Sequence, residues 1–384
     1  MWDEIHFWQT SLLFSDSLIP SISDFKQYSE LSTPLPFMIF GALEYFFHQG
    51  IFAGRLLSLT LFMVVAFIIG WPVKEKEGRS IRCLIGLCLC TSYLSLNGRL
   101  YTEMITCTFV LLGAASYAKN RHLLSALAFV AAIACRQYMV VFPAAIALCE
   151  FITVFKSSNR FTQAPYSWSL HQRWILPAIA TVTLFGWIIF FGGLAAPATL
   201  LDESTPVVQQ ALWQIQPGGA VHGLAAVGGY IVIPELLLFS PVATFKKLLA
   251  PERKIAMIAA ALLAYTIAFP PVFEGLGRLI SIALILPHPL LGLILFYVLA
   301  LLACIRFLEP SLMSFVVLFN TLIMTTVYPW DKYVLPLAVF FWYLKSLGLE
   351  NKFSLFAKSG PAKSDSAKRS SKKLAIASEQ NLRL

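Results

Sequence analysis

Charged residues are scarce in this sequence. Only 13% of its 384 residues are Asp, Glu, Lys or Arg, whereas 58% are hydrophobic, and its mean hydropathy is +0.73. Soluble domains average about 25% charged and about 45–50% apolar residues. The shortage of charge therefore excludes a soluble globular domain, a disordered chain and a small disulfide-stapled scaffold.

Short motifs of several common chemistries are also missing. The sequence has no Cys-x-x-Cys, no His-Glu-x-x-His, no Gly-x-Ser-x-Gly and no Gly-rich phosphate-binding loop. Its seven cysteines lie within or beside apolar runs, and none is near a His at metal-ligand spacing, which is typical of small core residues. ATP-driven and serine-hydrolase chemistry thus have no basis in the sequence.

Long apolar runs fill most of the chain instead. A transmembrane helix needs about 20 mostly apolar residues to cross roughly 30 Å of hydrocarbon, and runs of about that length recur along the chain. The pattern predicts an all-α protein, a polytopic transmembrane helical bundle of about eleven spans. The predicted spans are 51–71, 83–97, 104–118, 122–135, 138–155, 174–193, 223–245, 255–273, 287–305, 310–327 and 333–348.

Composition divides the chain into three regions. Residues 1–50 form an outer segment, in which the short apolar stretch 34–50 favours an interfacial or re-entrant helix. Residues 51–348 form the predicted transmembrane bundle. Residues 349–384 are rich in Ser, Lys and Ala without apolar periodicity, which predicts a disordered basic tail.

Lys and Arg are distributed unevenly over the loops between the predicted spans. Of the 29 Lys and Arg residues, 23 fall in alternate loops and in the tail. Because cytoplasmic loops retain positive charge, we predict a multi-pass integral membrane protein whose tail is cytosolic. The net charge of +9 is then explained by Lys and Arg residues that orient the spans and contact membrane lipids. No nucleic-acid partner is expected.

This orientation leads to an expectation about the start of the chain. The first fifty residues would lie on the non-cytosolic side, yet the sequence opens on Met1-Trp2-Asp3-Glu4 without a signal peptide. We therefore expect a further span upstream of Met1, encoded by an in-frame apolar stretch of about 20 codons.

Asp3 and Glu4 are adjacent carboxylates in the outer segment, and His6 follows them. Such a group can take a proton from an attacking hydroxyl or bind a divalent cation. A frayed, solvated N-terminus is the alternative interpretation. No cofactor is predicted and no metal is required, although the paired acids leave a divalent metal open.

Glu103 opens the third predicted span in the sequence Tyr101-Thr102-Glu103. Thr and Glu favour the first turn of a helix, so a capping group is one interpretation. The other is a further acid that faces Asp3 and Glu4 across a shared outer cavity.

Arg136 lies in the tight connection between the fourth and fifth predicted spans. An arginine at the membrane face is costly unless it pairs with an acid or binds an anion. Its position predicts either an ion pair with Glu103 or a phosphate site. Arg99 and Lys332 lie on the same side and are further candidate cations for a phosphate, with a solvated loop charge as the alternative for Lys332.

Polar segments follow one another in a fixed order on the predicted outer side. They are Asp3-Glu4-Ile5-His6-Phe7, Thr33-Pro34, Leu100-Tyr101-Thr102-Glu103 and Arg136-Gln137, with Trp330-Asp331-Lys332-Tyr333 near the last spans. This order resembles the dolichyl-phosphate-glucose α-1,2-glucosyltransferase family, within the GT-C class of membrane glycosyltransferases. The resemblance covers about residues 1–145 and, more loosely, the last spans.

The sequence departs from the family's motifs at three places. Glu103 stands where the family has Asp after Tyr-Thr. Tyr138 and Met139 follow Arg-Gln where the family has Thr-Asn, and His6 and Phe7 are in reverse order. The donor sugar, the acceptor and the linkage therefore stay open.

The resemblance implies a GT-C-like fold whose first outer loop carries the Asp-Glu motif, preceded by a spanning helix. The implied activity is a glycosyltransferase that moves a sugar from a polyprenyl-phosphate donor to a glycan or lipid-linked acceptor at the non-cytosolic face. Asp3 or Glu4 would be the general base, and Glu103 would orient the acceptor or position Arg136. Arg136, with Arg99 or Lys332, would bind the donor phosphate.

A polytopic transporter or lipid flippase is the alternative function. Such a protein would use the same charged helix ends to bind a substrate without transfer chemistry. Transporters tend to have internal repeats and broken or charged helices near the bilayer midplane. The sequence has no clear repeat, and its acids gather on one face, which favours the enzyme.

Overall fold

A computed structural model describes residues 2–71, 77–158, 168–196, 198–199, 215–239, 253–271, 273, 277–327 and 330–349. Their elements are helical throughout, which confirms the all-α prediction for this part of the chain. The predicted tail lies outside the described residues beyond Leu349, and the Asp3 side chain lies outside them too.

Seventeen α-helices are present in the described residues. They are α1 (Trp2–Leu12), α2 (Ile22–Gln27), α3 (Leu35–Phe47), α4 (Ile51–Gly70), α5 (Glu77–Cys88), α6 (Thr91–Ser95), α7 (Thr102–Ala118), α8 (His122–Cys135), α9 (Val141–Ser158), α10 (Trp168–Phe191), α11 (Gly218–Val227), α12 (Ile233–Phe239), α13 (Arg253–Ala268), α14 (Arg278–Ile285), α15 (Pro289–Arg306), α16 (Leu312–Ile323) and α17 (Leu335–Ser346). The 3-10 turns Gln137–Val140 and Asp331–Val334 lead into α9 and α17, and the π-helical turn Gly228–Val232 joins α11 to α12.

Several of these helices give the chain the character of a membrane protein. Five helical stretches in the described residues are long and apolar enough to cross a bilayer, by length and composition. They are Ile51–Gly70, Gln137–Lys156, His171–Phe191, Gly218–Phe239 and Pro289–Arg306. Four shorter apolar helices, α3, α7, α8 and α16, accompany them.

The second predicted span differs from the structure. The apolar run predicted one helix over 83–97, whereas α5 ends at Cys88 and a separate short helix begins at Thr91. Cys90, between the two, has an extended backbone with φ −73° and ψ 101°, so the chain leaves the helical path there. The loop before α7 is therefore reached through the short helix α6.

The stretch 34–50, predicted as an interfacial or re-entrant helix, contains the helix α3, and its position relative to the membrane stays a prediction. Pro36 lies in its first turn, where the missing N–H costs no helical hydrogen bond. The helix ends at His48, which is left-handed with φ 49°, and the Gly50 N–H donates to the Glu44 carboxylate at 2.8 Å. Because α3 packs against both α1 and α4, it ties the outer segment to the first long helix.

The last helix, α17, lies at the centre of the bundle. Each of its twelve residues is buried, and it packs against α4, α5 and α7. The close approach of α5 depends on Gly86, because a Cβ there would overlap the indole of Trp342. An apolar helix buried on all sides is held by its neighbours, so the turn Asp331–Val334 at its start is placed by the whole bundle.

Polar side chains gather at opposite ends of the bundle. α7 and α17 begin, and α8 ends, at the end that holds Glu103. α15 and α17 finish at the other end, where Glu235 binds Arg306 and Lys345 at 2.6 and 2.8 Å. We name these the Glu103 end and the Glu235 end.

Candidate functional site

Glu103, Arg136 and Lys332 form one buried group of charges, which we name the Glu103 cluster. Glu103 Oε1 lies 2.7 Å from Arg136 Nη2 and 3.1 Å from Lys332 Nζ. The Glu103 side chain is fully buried, and those of Arg136 and Lys332 are only 11% and 6% exposed. The ion pair predicted between Arg136 and Glu103 is confirmed, and Lys332 is a third member of it rather than a solvated loop charge.

Thr102 ties the arginine to the start of α7. Its Oγ1 accepts a hydrogen bond from Arg136 Nε at 3.0 Å. Tyr101, the N-cap of this helix, has an extended backbone and makes no side-chain capping hydrogen bond. Thr102 and Glu103 bind Arg136, and Glu103 also lies in the first turn of α7, where a negative charge is favourable.

The connection between α8 and α9 fixes the position of Arg136. The residue is extended, with φ −153° and ψ 122°, and leads into the 3-10 turn Gln137–Val140. The Gln137 side-chain amide donates to the carbonyl oxygens of Leu31 at 2.9 Å and Leu194 at 2.8 Å. Two remote loops thus hold the turn that presents the guanidinium.

The outer segment lies directly beside this connection. Thr33 Oγ1 donates to the carbonyl oxygen of Ile133 in α8 at 2.7 Å. The ring of Phe7 in α1 meets that of Tyr101 edge to face, with centroids 5.7 Å apart. The segments of the family resemblance are therefore neighbours in space, although they are far apart in sequence.

Lys332 is held between an acid and two aromatic rings. Its Nζ lies 3.4 Å from the ring centroid of Trp330 and 5.5 Å from that of Tyr101. A cation over an aromatic face is attracted to the negative face of the ring. The ammonium is therefore directed at Glu103 by contacts on several sides.

Asp331, the neighbour of Lys332, is almost completely buried. Its Oδ2 accepts hydrogen bonds from Tyr230 Oη at 2.6 Å and from the Leu279 N–H at 2.9 Å. Its Oδ1 lies 3.4 Å from His222 Nε2. Tyr230 and His222 were not among the predicted site residues, although a histidine inside an apolar run is itself a sign of a buried polar contact.

Glu4 is bound to a cation that the sequence had not paired with it. Arg55 Nε and Nη2 donate to the two Glu4 carboxylate oxygens at 2.7 and 2.9 Å, and the Leu100 N–H donates to Oε1 at 2.9 Å. The hydrogen bonds from Arg55 outweigh burial and, with the Leu100 N–H and the charges of Arg55 and Arg99, hold the pKa of Glu4 below its usual range. Glu4 is therefore a weak base that anchors α1 on the loop before α7, which argues against it as the general base.

The other predicted site residues lie outside the Glu103 cluster. Arg99 is exposed and acts on Glu4 through its charge. His6 Nε2 lies 2.9 Å from Glu30 Oε1, which also accepts a hydrogen bond from Thr10 Oγ1 at 2.7 Å. Asp3 belongs to α1, but its side chain lies outside the described residues.

Metal ligands do not gather in the part of the chain that the structure describes. No group of three or more His, Cys, Asp or Glu side chains there has the arrangement of a metal site. The carboxylates of Glu4 and Glu103 are instead bound by cationic side chains. All seven cysteines are free thiols.

The Glu103 cluster brings two cationic side chains together on one carboxylate. One carboxylate oxygen holds a guanidinium and an ammonium side by side, at the end of an apolar bundle. Arg presents a planar fork of donors that matches phosphate, and Lys adds a point charge. In a low-dielectric site such donors stabilise negative charge more strongly than they do in water.

No protein-family model, curated protein or solved structure matches this chain.

Proposed function

We propose that this protein is a membrane glycosyltransferase of the GT-C class. It moves a sugar from a polyprenyl-phosphate donor to a glycan or lipid-linked acceptor. The Glu103 cluster carries the proposal, because it supplies two cations for a phosphate at one end of an apolar bundle. The proposal is also supported by the contacts of the outer segment with two other parts of the chain. These are the loop before α7, reached by Glu4, and the end of α8 before the α8–α9 connection, reached by Thr33.

The donor has an apolar part and an anionic part, which need different surroundings in the protein. Its polyprenyl chain is apolar and lies between helices, among side chains that face lipid. Its phosphate lies at the Glu103 cluster, where Arg136 and Lys332 bind its oxygens. Glu103 keeps both cations in place, so the positive charge is already positioned before the donor arrives.

The reaction is a direct displacement at the sugar. The acceptor hydroxyl oxygen attacks the anomeric carbon while the bond from that carbon to the phosphate oxygen breaks. The hydroxyl proton passes to a carboxylate, and polyprenyl phosphate leaves as an anion. Arg136 and Lys332 stabilise the charge that develops on it, and the anomeric configuration is inverted.

Asp3 is the candidate general base for this step. Glu4 is held by Arg55 and by the Leu100 N–H, which favour its ionised form and weaken it as a base. Glu103 is committed to Arg136 and Lys332. Asp3 is the remaining acid of the predicted catalytic set.

We also propose about eleven spans, with the basic tail in the cytosol and the Glu103 end on the non-cytosolic side. The bias of Lys and Arg between alternate loops supports this orientation.

An assay of donor consumption tests the proposed function. Purified protein is incubated with a panel of labelled polyprenyl-phosphate sugars and an extract of lipid-linked acceptors, and release of polyprenyl phosphate is measured. Arg136→Ala should lower the rate about 10²–10³-fold, the usual cost of losing one donor to a developing anion. Asp3→Asn should abolish transfer while leaving the protein folded in the membrane.

Arg306→Ala is the matched control. Arg306 also pairs with a buried glutamate, Glu235, at 2.6 Å, but at the opposite end of the bundle. The folded Arg306→Ala protein should transfer sugar at the rate of the wild type. Full activity in Arg136→Ala contradicts the assignment, and vesicle uptake of the lipid-linked sugar without release of polyprenyl phosphate supports a transporter instead.

A further inference from the structure

We propose that Asp331 is a positioning residue that holds Lys332 against Glu103, with Tyr230 as its main support. The inference rests on the proposed function to the extent that Lys332 binds the donor phosphate. Asp331 itself touches neither Glu103 nor Arg136 in any hydrogen bond of the described residues. Its effect passes through the turn Asp331–Val334, to which both neighbours belong.

Two adjacent residues of this turn bind in different directions. Asp331 binds Tyr230, which follows α11, and the backbone of α14 at Leu279. Lys332 binds Glu103 at the start of α7. The turn therefore connects two groups of helices. The hydrogen bonds of Asp331 to Tyr230 and Leu279 fix the turn, and the fixed turn keeps the Lys332 ammonium beside Glu103.

Tyr230 reaches Asp331 from an unusual backbone. It lies in the π-helical turn Gly228–Val232, a wider turn that is rare and is frequently found at functional sites. This turn packs tightly on α15, because a Cβ at Gly228 would overlap the carbonyl oxygen of Leu299. A less stable backbone form is therefore kept where it places a phenol 2.6 Å from a buried carboxylate.

The backbone just before α14 also fits closely around the Asp331 carboxylate. Gly277, just before α14, has φ 136°, a conformation that L-residues with a side chain rarely adopt. A Cβ at this position would overlap the Asp331 carboxylate. Close approach of Gly277 thus lets the Leu279 N–H point at Asp331.

A buried histidine completes the surroundings of the acid. His222 is 2% exposed, and its Nε2 is 3.4 Å from Asp331 Oδ1. Neither of its ring nitrogens makes a hydrogen bond within the described residues. Asp331 is thus contacted from α11, from the π-helical turn and from α14.

Lysine labelling in the full-length protein tests the inference without any assay of transfer. Lys332, in the turn before α17, and Lys345, in the last turn of α17, have similarly buried side chains, 6% and 8% exposed. An amine-reactive acylating reagent is applied to the detergent-solubilised protein, and modification at each lysine is followed by mass spectrometry. In the wild type both lysines should react slowly.

Asp331→Ala should raise the labelling rate of Lys332 at least about tenfold, because the turn loses hydrogen bonds to a buried charged acceptor. Lys345 should keep its slow rate. Asp331→Asn should behave as the wild type, since the amide oxygen accepts the same two hydrogen bonds. Tyr230→Phe removes one of them and should give a smaller rise. An unchanged Lys332 rate in Asp331→Ala, or an equal rise at Lys345, overturns the inference.

A double-mutant cycle gives the second test, with the donor that the wild type consumes. Asp331→Ala should lower kcat more than it raises KM, and it should cause little further loss in a Lys332→Ala background. The same loss in both backgrounds overturns the positioning role. A wild type that consumes no donor contradicts the proposed function alone, because the labelling result is independent of transfer.

Discussion

Glu4 and Glu103 are both buried carboxylates that bind an arginine, but the two arginines differ in exposure. The Arg55 side chain is 45% exposed, whereas that of Arg136 is 11% exposed. Solvent and salt screen the first pair, as in any surface ion pair, and screen the second much less. Glu4 thus serves mainly as an attachment point for α1, while Glu103 sets the electrostatics of the candidate site.

Glu4 should make the folded protein sensitive to acid. The Arg55 hydrogen bonds hold the pKa of Glu4 below its usual range in the folded state. Its carboxylate therefore contributes stability above the unfolded-state pKa of about 4.3. This contribution is lost as the pH falls through the lower pKa of the folded state.

The test is the melting temperature of the wild type and of Glu4→Gln in detergent, from about pH 7 to about pH 3. The wild type should melt at the higher temperature near neutral pH, and the two values should converge as the solution becomes acidic. A difference that stays constant over this range contradicts the prediction.

The sequence predicts some of these pairs and not others. Arg136 and Glu103 lie at the ends of neighbouring predicted spans on one side of the membrane, so their pairing follows from the cost of leaving either charge alone. Arg55 lies inside the first predicted span, far along the chain from Glu4, and no sequence pattern pairs the two residues. Only tertiary packing selects between such cations.

At the scale of elements, the contact between α5 and α17 depends on a single glycine. Gly86→Ala should lower the stability of the protein by about 1–3 kcal/mol, because the new methyl group overlaps Trp342 and forces the two helices apart. The measurement is the melting temperature in detergent.

Gly78→Ala in the same helix is the matched control for this change. Among the described residues, a Cβ built at Gly78 meets no heavy atom within 4 Å beyond its chain neighbours and its own helix backbone. Replacement there should leave stability unchanged or raise it by up to about 1 kcal/mol, since Ala favours the helix. Equal melting temperatures for the two variants contradict the proposed contact.

Apolar length predicts the helices better than it predicts their interruptions. Each predicted span contains a helix in the described residues. The break at Cys90 has no Pro or Gly within two residues to mark it, and the pair Gly228-Gly229 in the π-helical turn does not by itself predict that turn. The π-helical turn contacts distant residues, Leu299 through Gly228 and Asp331 through Tyr230, and the hydrophobic periodicity of a sequence does not record such contacts.

At the scale of the whole molecule, the two ends of the bundle should face different compartments. Gln49 is an exposed residue after α3, and Lys119 is an exposed residue after α7, whose other end holds Glu103. Gln49→Cys and Lys119→Cys are made singly in a cysteine-free background and treated with a membrane-impermeant maleimide in sealed membranes of known sidedness.

Gln49→Cys should react from the non-cytosolic side, and Lys119→Cys should react only when the cytosolic side is accessible. The reason is the bias of Lys and Arg toward cytoplasmic loops. Reaction of both positions from the same side contradicts the proposed orientation.

The central place of α17 has a consequence for biosynthesis. Chains are made from the N-terminus, so the elements bearing Glu103 and Arg136 enter the membrane long before the segment that brings Lys332 and fills the middle of the bundle. Until Lys332 and α17 leave the ribosome, the nascent protein lacks its central helix, and Glu103 has Arg136 but not Lys332 as a partner. The anion site that we propose is therefore completed only after Lys332 and α17 have been synthesised.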